Sequence, residues 1–393
     1  MTGLSDPDPA TLAEAAFAPV LDQWGRPGSV DLVPTPALFC DLDQLTGNIE
    51  AMQRTADASG ILLRPHAKSH KSALLARMQL ERGAAGICCA KLSEAEALVA
   101  ALHRDGGPSV SVLITSPLVG SRMARRAAAL ATRCGLLVAV DHVDGVTELD
   151  QTLPIGVSAT VLCDVDVGLG RTGVTRPGAA LAIAARADAS PSLRFGGVQG
   201  YAGHAQHIAG RELRRGAVDA ATDRLGSVID ALTAAGHDVP IRTGGGTGTG
   251  LLDIECGVLT ELQPGSYVFM DREYRDALGS DPESSFAQSL TLGTTVISGN
   301  QDRFVTVDAG LKSMATDAGV PVVVDHPDST YAFFGDEQGL VMTTDSWSPA
   351  RGERLHLVPP HCDPTVDRYD RLWLTRGDVV VGVTPVTARG RSY

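Results

Sequence analysis

Along the first two-thirds of the chain, short apolar runs alternate with longer stretches in which apolar residues recur every three or four positions. The runs are Ala37–Asp41, Ile61–Arg64, Gly86–Ala90, Val110–Ile114, Leu136–Val140, Ala159–Asp164, Phe195–Gly200 and Val239–Arg242. Each is brief and nearly all apolar, the pattern of a parallel strand buried on both faces. Between them, Leu42, Leu45, Ile49 and Met52 recur at helical spacing, and Ser93 followed by Glu94 and Glu96 predicts an N-cap with an acidic first turn. Repeated strand–helix units give a doubly wound sheet or a (β/α)8 barrel. The number of units favours an α/β fold with a TIM-like barrel over residues 37–275, and Glu261–Phe269 is a further strand candidate.

After about Asp276 the helical spacing disappears. The runs Thr291–Ile297, Phe304–Val307, Val320–Val324, Gly339–Thr343, Arg354–Val358 and Asp378–Val383 are separated by turns rich in Gly, Asp and Pro. They predict an all-β domain over residues 276–393, which residues 1–36 are expected to join.

Composition narrows the function. Of the 393 residues 44% are hydrophobic and 20% charged, as in an ordinary globular protein. The net charge of -13 argues against a nucleic-acid partner. The 7 cysteines are odd in number and form no CxxC pair, and Cys40, Cys88, Cys89, Cys134 and Cys163 lie in apolar runs. Reduced thiols and a cytoplasmic location are expected. Met1–Pro9 lacks the features of a signal peptide, and no apolar run is long enough to span a bilayer.

Three clusters carry candidate chemistry. Arg64-Pro65-His66-Ala67-Lys68-Ser69-His70-Lys71 follows the second strand run. Strand C-termini form the active face of a barrel, and in extended backbone His66 and Lys68 would point the same way. A lysine entering an enclosed site there can form a Schiff base; the alternative is a solvated basic turn. Thr243-Gly244-Gly245-Gly246-Thr247-Gly248-Thr249-Gly250 follows the eighth run. Glycines bring backbone N–H groups close to an anion, and this is a recurrent phosphate position in barrels. The run lacks the Gly-Lys-Ser/Thr ending of a nucleoside triphosphate loop. The third cluster is Pro359-Pro360-His361-Cys362-Asp363-Pro364. In extended backbone His361 and Asp363 share a face, and one imidazole with one carboxylate suits a manganese-like or zinc-like ion. Gly168-Leu169-Gly170-Arg171-Thr172-Gly173 matches a dinucleotide fingerprint, but the helical pattern begins only at Pro177, which disfavours that use.

Together these clusters, Gln199-Gly200-Tyr201-Ala202-Gly203-His204 and Pro264-Gly265-Ser266-Tyr267 resemble the D-threonine aldolase family in content and order. The resemblance runs from about Pro34 to the end of the sequence and implies an alanine-racemase type of pyridoxal-phosphate fold. It implies that Lys68 is the Schiff-base lysine and that Arg171 faces the pyridine nitrogen. It implies that Tyr201, Tyr267 and the Gly244, Gly245, Gly246 and Thr247 run bind the cofactor. His361 and Asp363 would hold a divalent ion beside the substrate hydroxyl, with manganese the first choice and magnesium or zinc as alternatives. His66 is a candidate base. Related dehydratases resemble a His-x-Cys pair at the metal, and Asp363 in the third position puts this chain on the aldolase side. The reaction implied is cleavage of a D-3-hydroxy amino acid to glycine and an aldehyde by a homodimer. A D-3-hydroxy amino acid dehydratase, a 3-hydroxy-D-aspartate aldolase and a non-catalytic pyridoxal-phosphate protein are the alternatives.

Overall fold

The computed structural model describes residues 17–104, 109–279, 281 and 286–393; the Met1–Pro9 segment lies outside them. The chain divides into two compact units. One comprises Glu50–Gly265, Ala277–Ser285 and Arg391–Tyr393; the other comprises Met1–Ile49, Ser266–Asp276 and Phe286–Gly390.

The first unit holds an 8-stranded all-parallel sheet. Its strands are β2 (Leu62–Leu63), β3 (Ile87–Cys89), β4 (Ser111–Ile114), β5 (Gly135–Val140), β6 (Ala159–Asp164), β7 (Leu193–Gly200), β8 (Ile241–Gly244) and β9 (Glu261–Leu262). β9 lies between β8 and β2. The ring closes where Pro65, which has no N–H to continue a ladder, accepts a 2.8 Å bond from the Cys88 amide, beside a parallel bridge between His66 and Cys88. Cys88, Leu113, Leu137 and Leu162 are buried together with Ile241 packed on them, so side chains from five strands fill the interior. Helices follow most strands; the one after β3 is Leu92–Arg104. Ser93 lies inside that helix rather than capping it. Glu94 takes the capping part, accepting from the Ala90 amide at 2.9 Å.

The second unit is a mostly antiparallel 9-stranded sheet centred on β10 (Leu290–Ser298). β1 (Ala37–Asp41) belongs to it, not to the barrel. It pairs antiparallel with β10 and parallel with β16 (Arg371–Arg376). Phe39 is buried there with Val20, Val30, Val33, Trp373 and Val380. The barrel boundary expected at residue 37 is therefore corrected: an apolar run reads the same in either sheet, and only its pairing partner distinguishes them. The expected end at 275 also shifts, because Ser266–Asp276 groups with the β unit. The sequence patterns did not single out β13 (Tyr331–Phe333) or β16. The expected strand Glu261–Phe269 is a two-residue strand followed by a 3-10 turn at Ser266–Val268. Among the described residues no helix is long and apolar enough to cross a membrane.

Candidate active site

Lys68 leaves the barrel by a different route from the one expected. His66 is extended and caps a 3-10 turn, Ala67–Ser69, that contains Lys68. The Lys68 amide reaches His66 Nδ1 at 3.4 Å. The two residues therefore do not alternate along one strand, because the chain turns as soon as β2 has closed the ring. His66 Nε2 lies 3.1 Å from Thr115 Oγ1, and that hydroxyl donates to the Cys89 carbonyl.

From Thr115 a chain of polar contacts crosses the strand ends. Gln199, on β7, donates to the Thr115 carbonyl at 3.1 Å and to Asp164 Oδ1 at 2.8 Å. Asp164 also accepts from the Thr172 hydroxyl at 2.8 Å. Burial raises the Asp164 pKa, and these two bonds offset part of the rise. Beside Thr172, the Arg171 guanidinium lies 5.7 Å from the centre of the Tyr201 ring, within cation–π range. A small cavity is lined by Asp164, Asp166, Arg171, Thr172, Gln199 and Tyr201 among others. Thr115, Asp164 and Gln199 were not singled out in the sequence as site residues, because a polar residue at a strand end acquires meaning only from its neighbours on other strands.

The glycine run begins in the last two residues of β8 and is buried throughout. A Cβ on Gly244 would stand 2.1 Å from the Gly200 carbonyl oxygen, and Gly245 has φ +70°. The Gly245 and Gly246 amides donate to no acceptor among the described residues. Buried N–H groups are nearly always paired, so two adjacent unpaired ones form a place for an anion, and the residues present fit a phosphate. Thr247 is buried beside them. The competing Gly168–Gly173 loop spends its amides on the protein's own carboxylates. Gly168 and Gly170 both donate to Asp166 at 2.9 Å, Gly173 donates to Asp141 at 3.2 Å, and the next helix starts only at Pro177.

In the β unit, Tyr267 is fully buried with its ring edge-on to Phe286. His361 precedes a short helix, Cys362–Val366, that contains Asp363. The extended segment expected here is therefore a helix start, and Cys362 turns into the core with no exposure. The Cys362 amide donates to Asp271 at 2.8 Å, and the Ser266 hydroxyl donates to Asp363 at 3.2 Å. His361 Nδ1 lies 2.7 Å from Asp317. Burial works against a charged imidazole, but Asp363, Asp317 and Asp271 outweigh it and raise the His361 pKa. A carboxylate on one ring nitrogen is the usual outer partner of a metal-binding histidine, directing the other nitrogen to the ion. The donor set thus fits a divalent ion, with open positions. Among the described residues no group of three or more His, Cys, Asp or Glu side chains is gathered to hold a metal.

The closed parallel barrel is of the alanine-racemase type. The family model described as "Alanine racemase, N-terminal domain" matches residues 40–273, and the one described as "Putative serine dehydratase domain" matches residues 289–375. The chain belongs to the D-threonine aldolase family. It is 38% identical over 362 residues to D-threonine aldolase from Arthrobacter sp, covering 92% of this chain and 94% of that protein. To 3-hydroxy-D-aspartate aldolase from Paracoccus denitrificans (strain Pd 1222) it is 37% identical, covering 92% of this chain and 93% of the relative. To D-threo-3-hydroxyaspartate dehydratase from Delftia sp. (strain HT23) it is 32% identical, covering 78% and 79%. The crystal structure of D-threonine aldolase from Filomicrobium marinum superposes with a TM-score of 0.88 at 35% identity, covering 92% of this chain and 98% of that one.

Proposed function

We propose that this protein is a pyridoxal-phosphate-dependent carbon–carbon lyase that cleaves D-3-hydroxy amino acids to glycine and an aldehyde. The observation that carries the reading is the full-length similarity to D-threonine aldolase, and the strand-end Lys68 and unpaired Gly245 and Gly246 amides support it. Bound pyridoxal phosphate supplies a sink for the electron pair released when Cα–Cβ breaks. Lys68 would hold the cofactor, and its amine, when free, would be able to move a proton. Arg171, Tyr201, Tyr267, Gly244 and Thr247 complete the cofactor contacts. Arg171 would face the ring nitrogen, where a guanidinium would disfavour a proton and moderate the sink. His361 and Asp363 would hold a divalent ion, manganese by first choice, and its charge would acidify the substrate hydroxyl. The hydroxyl gives its proton to a base, with His66 a candidate; the aldehyde carbonyl forms as Cα–Cβ breaks, and Cα then takes up a proton to give glycine. The working assembly in this reading is a homodimer.

A second reading is dehydration, favoured by the match of residues 289–375 to a dehydratase domain and by the Delftia relative. Incubating the metal-loaded enzyme with D-threonine, D-serine and D-3-hydroxyaspartate separates the two. Glycine with acetaldehyde or glyoxylate supports the aldolase. 2-Oxobutanoate, pyruvate or oxaloacetate with ammonia, and no glycine, overturns it.

A further inference from the structure

The barrel contains a buried polar assembly behind the glycine run that the reaction itself does not use. Gln206 has no exposure. Its Oε1 accepts from the Gly248 amide at 3.0 Å, and its Nε2 donates to Thr249 Oγ1 at 2.9 Å and to the Ala202 carbonyl at 3.2 Å. Thr249 donates in turn to Asp253 Oδ2 at 2.6 Å. The glycines are fitted to these groups. A Cβ on Gly246 would stand 2.3 Å from Gln206 Oε1, one on Gly248 2.0 Å from the Gln206 carbonyl oxygen, and one on Gly245 2.6 Å from Asp253 Oδ2.

We infer that Gln206, braced by Thr249 and Asp253, is the positioning residue that sets the specificity of this loop for a phosphorylated cofactor. The inference rests on the cofactor reading of the glycine run. Gln206 takes up one loop amide, Gly248, and so fixes the peptide plane between Thr247 and Gly248. Gly245 and Gly246 then keep their N–H groups turned away from protein acceptors and available to an anion. A neutral amide suits this place, because a carboxylate of the same shape would set a full negative charge behind the anion. Asp253 meets the same condition in part: burial pushes its pKa up to about 7, with the Thr249 bond working the other way.

The test compares pyridoxal phosphate with pyridoxal, which lacks the phosphate, by absorbance titration of the apoenzyme. Q206M keeps the side-chain volume and removes the amide; Q206E keeps an acceptor for Gly248 and adds charge. Melting curves show that each variant folds. The expected result is that the wild type prefers pyridoxal phosphate strongly, and that Q206M and Q206E each narrow the preference at least tenfold while pyridoxal binding stays within about twofold. An unchanged preference, or an equal loss for both ligands, overturns the positioning role and leaves the cofactor reading standing. A wild-type protein that binds pyridoxal phosphate no better than pyridoxal overturns the phosphate reading of the loop, and this inference with it.

Discussion

Lys68 sits in a one-turn 3-10 segment fixed by the closure of the barrel behind it. Borohydride reduction of the yellow holoenzyme followed by peptide mapping should place the label on Lys68; label on Lys71 instead would reject the assignment. Asp253 offers a second test at the same scale. It is buried, and its pKa is raised from 3.8 to about 7. A carboxyl with a higher pKa in the folded state than in the unfolded one is protonated preferentially when folded, so it costs stability as pH rises from about 4 to 7 and the cost then levels off. Asp253→Asn should therefore gain melting temperature relative to wild type at pH 8, with a smaller gain or none at pH 5. Equal differences at both pH values would show that the carboxyl is not ionising there.

At the scale of elements, β7 illustrates how backbone geometry and close approach constrain the barrel. Its pairing with β6 is irregular beside Gly197, which has φ +133° and lies where a Cβ would meet the Ile241 carbonyl oxygen at 2.0 Å. Gly197→Ala should cost at least about 1–3 kcal/mol from the backbone alone, and urea denaturation should show a clear loss. Gly226, in the helix Arg211–Ala234, has nothing within 4 Å of an added Cβ. Gly226→Ala should stabilise by about 0.4–1 kcal/mol in the same assay, since it only restricts the unfolded chain. The sequence marks both positions merely as glycine.

At the scale of the whole molecule, the candidate site residues divide between the two units. Lys68, Arg171 and Tyr201 belong to the barrel, and His361 and Asp363 belong to the β unit. A chelator should abolish turnover while the cofactor's colour persists, and added manganese should restore it. Asp363→Ala should weaken metal affinity strongly, leaving the cofactor spectrum intact and the melting temperature little changed. Aldol cleavage that survives both treatments would remove the ion from the mechanism. Sedimentation at working concentration tests the homodimer; a fully active monomer would exclude it.

The sequence by itself determined most strands of the barrel and the positions of the three clusters, because both-face burial and glycine-rich turns leave direct marks in residue order. It placed Lys68 after β2 and the glycine run at the end of β8 for that reason. Tertiary structure decided the rest. β1 joined the other sheet because hydrogen-bond partners, not apolarity, assign a strand. His361 and Asp363 came to share a helix start, and Lys68 a 3-10 turn, because local conformation at a strand end follows from what closes against it. Gln199, Thr115, Gln206 and Asp253 acquired their roles only when strands and loops far apart in the chain were brought within hydrogen-bond distance.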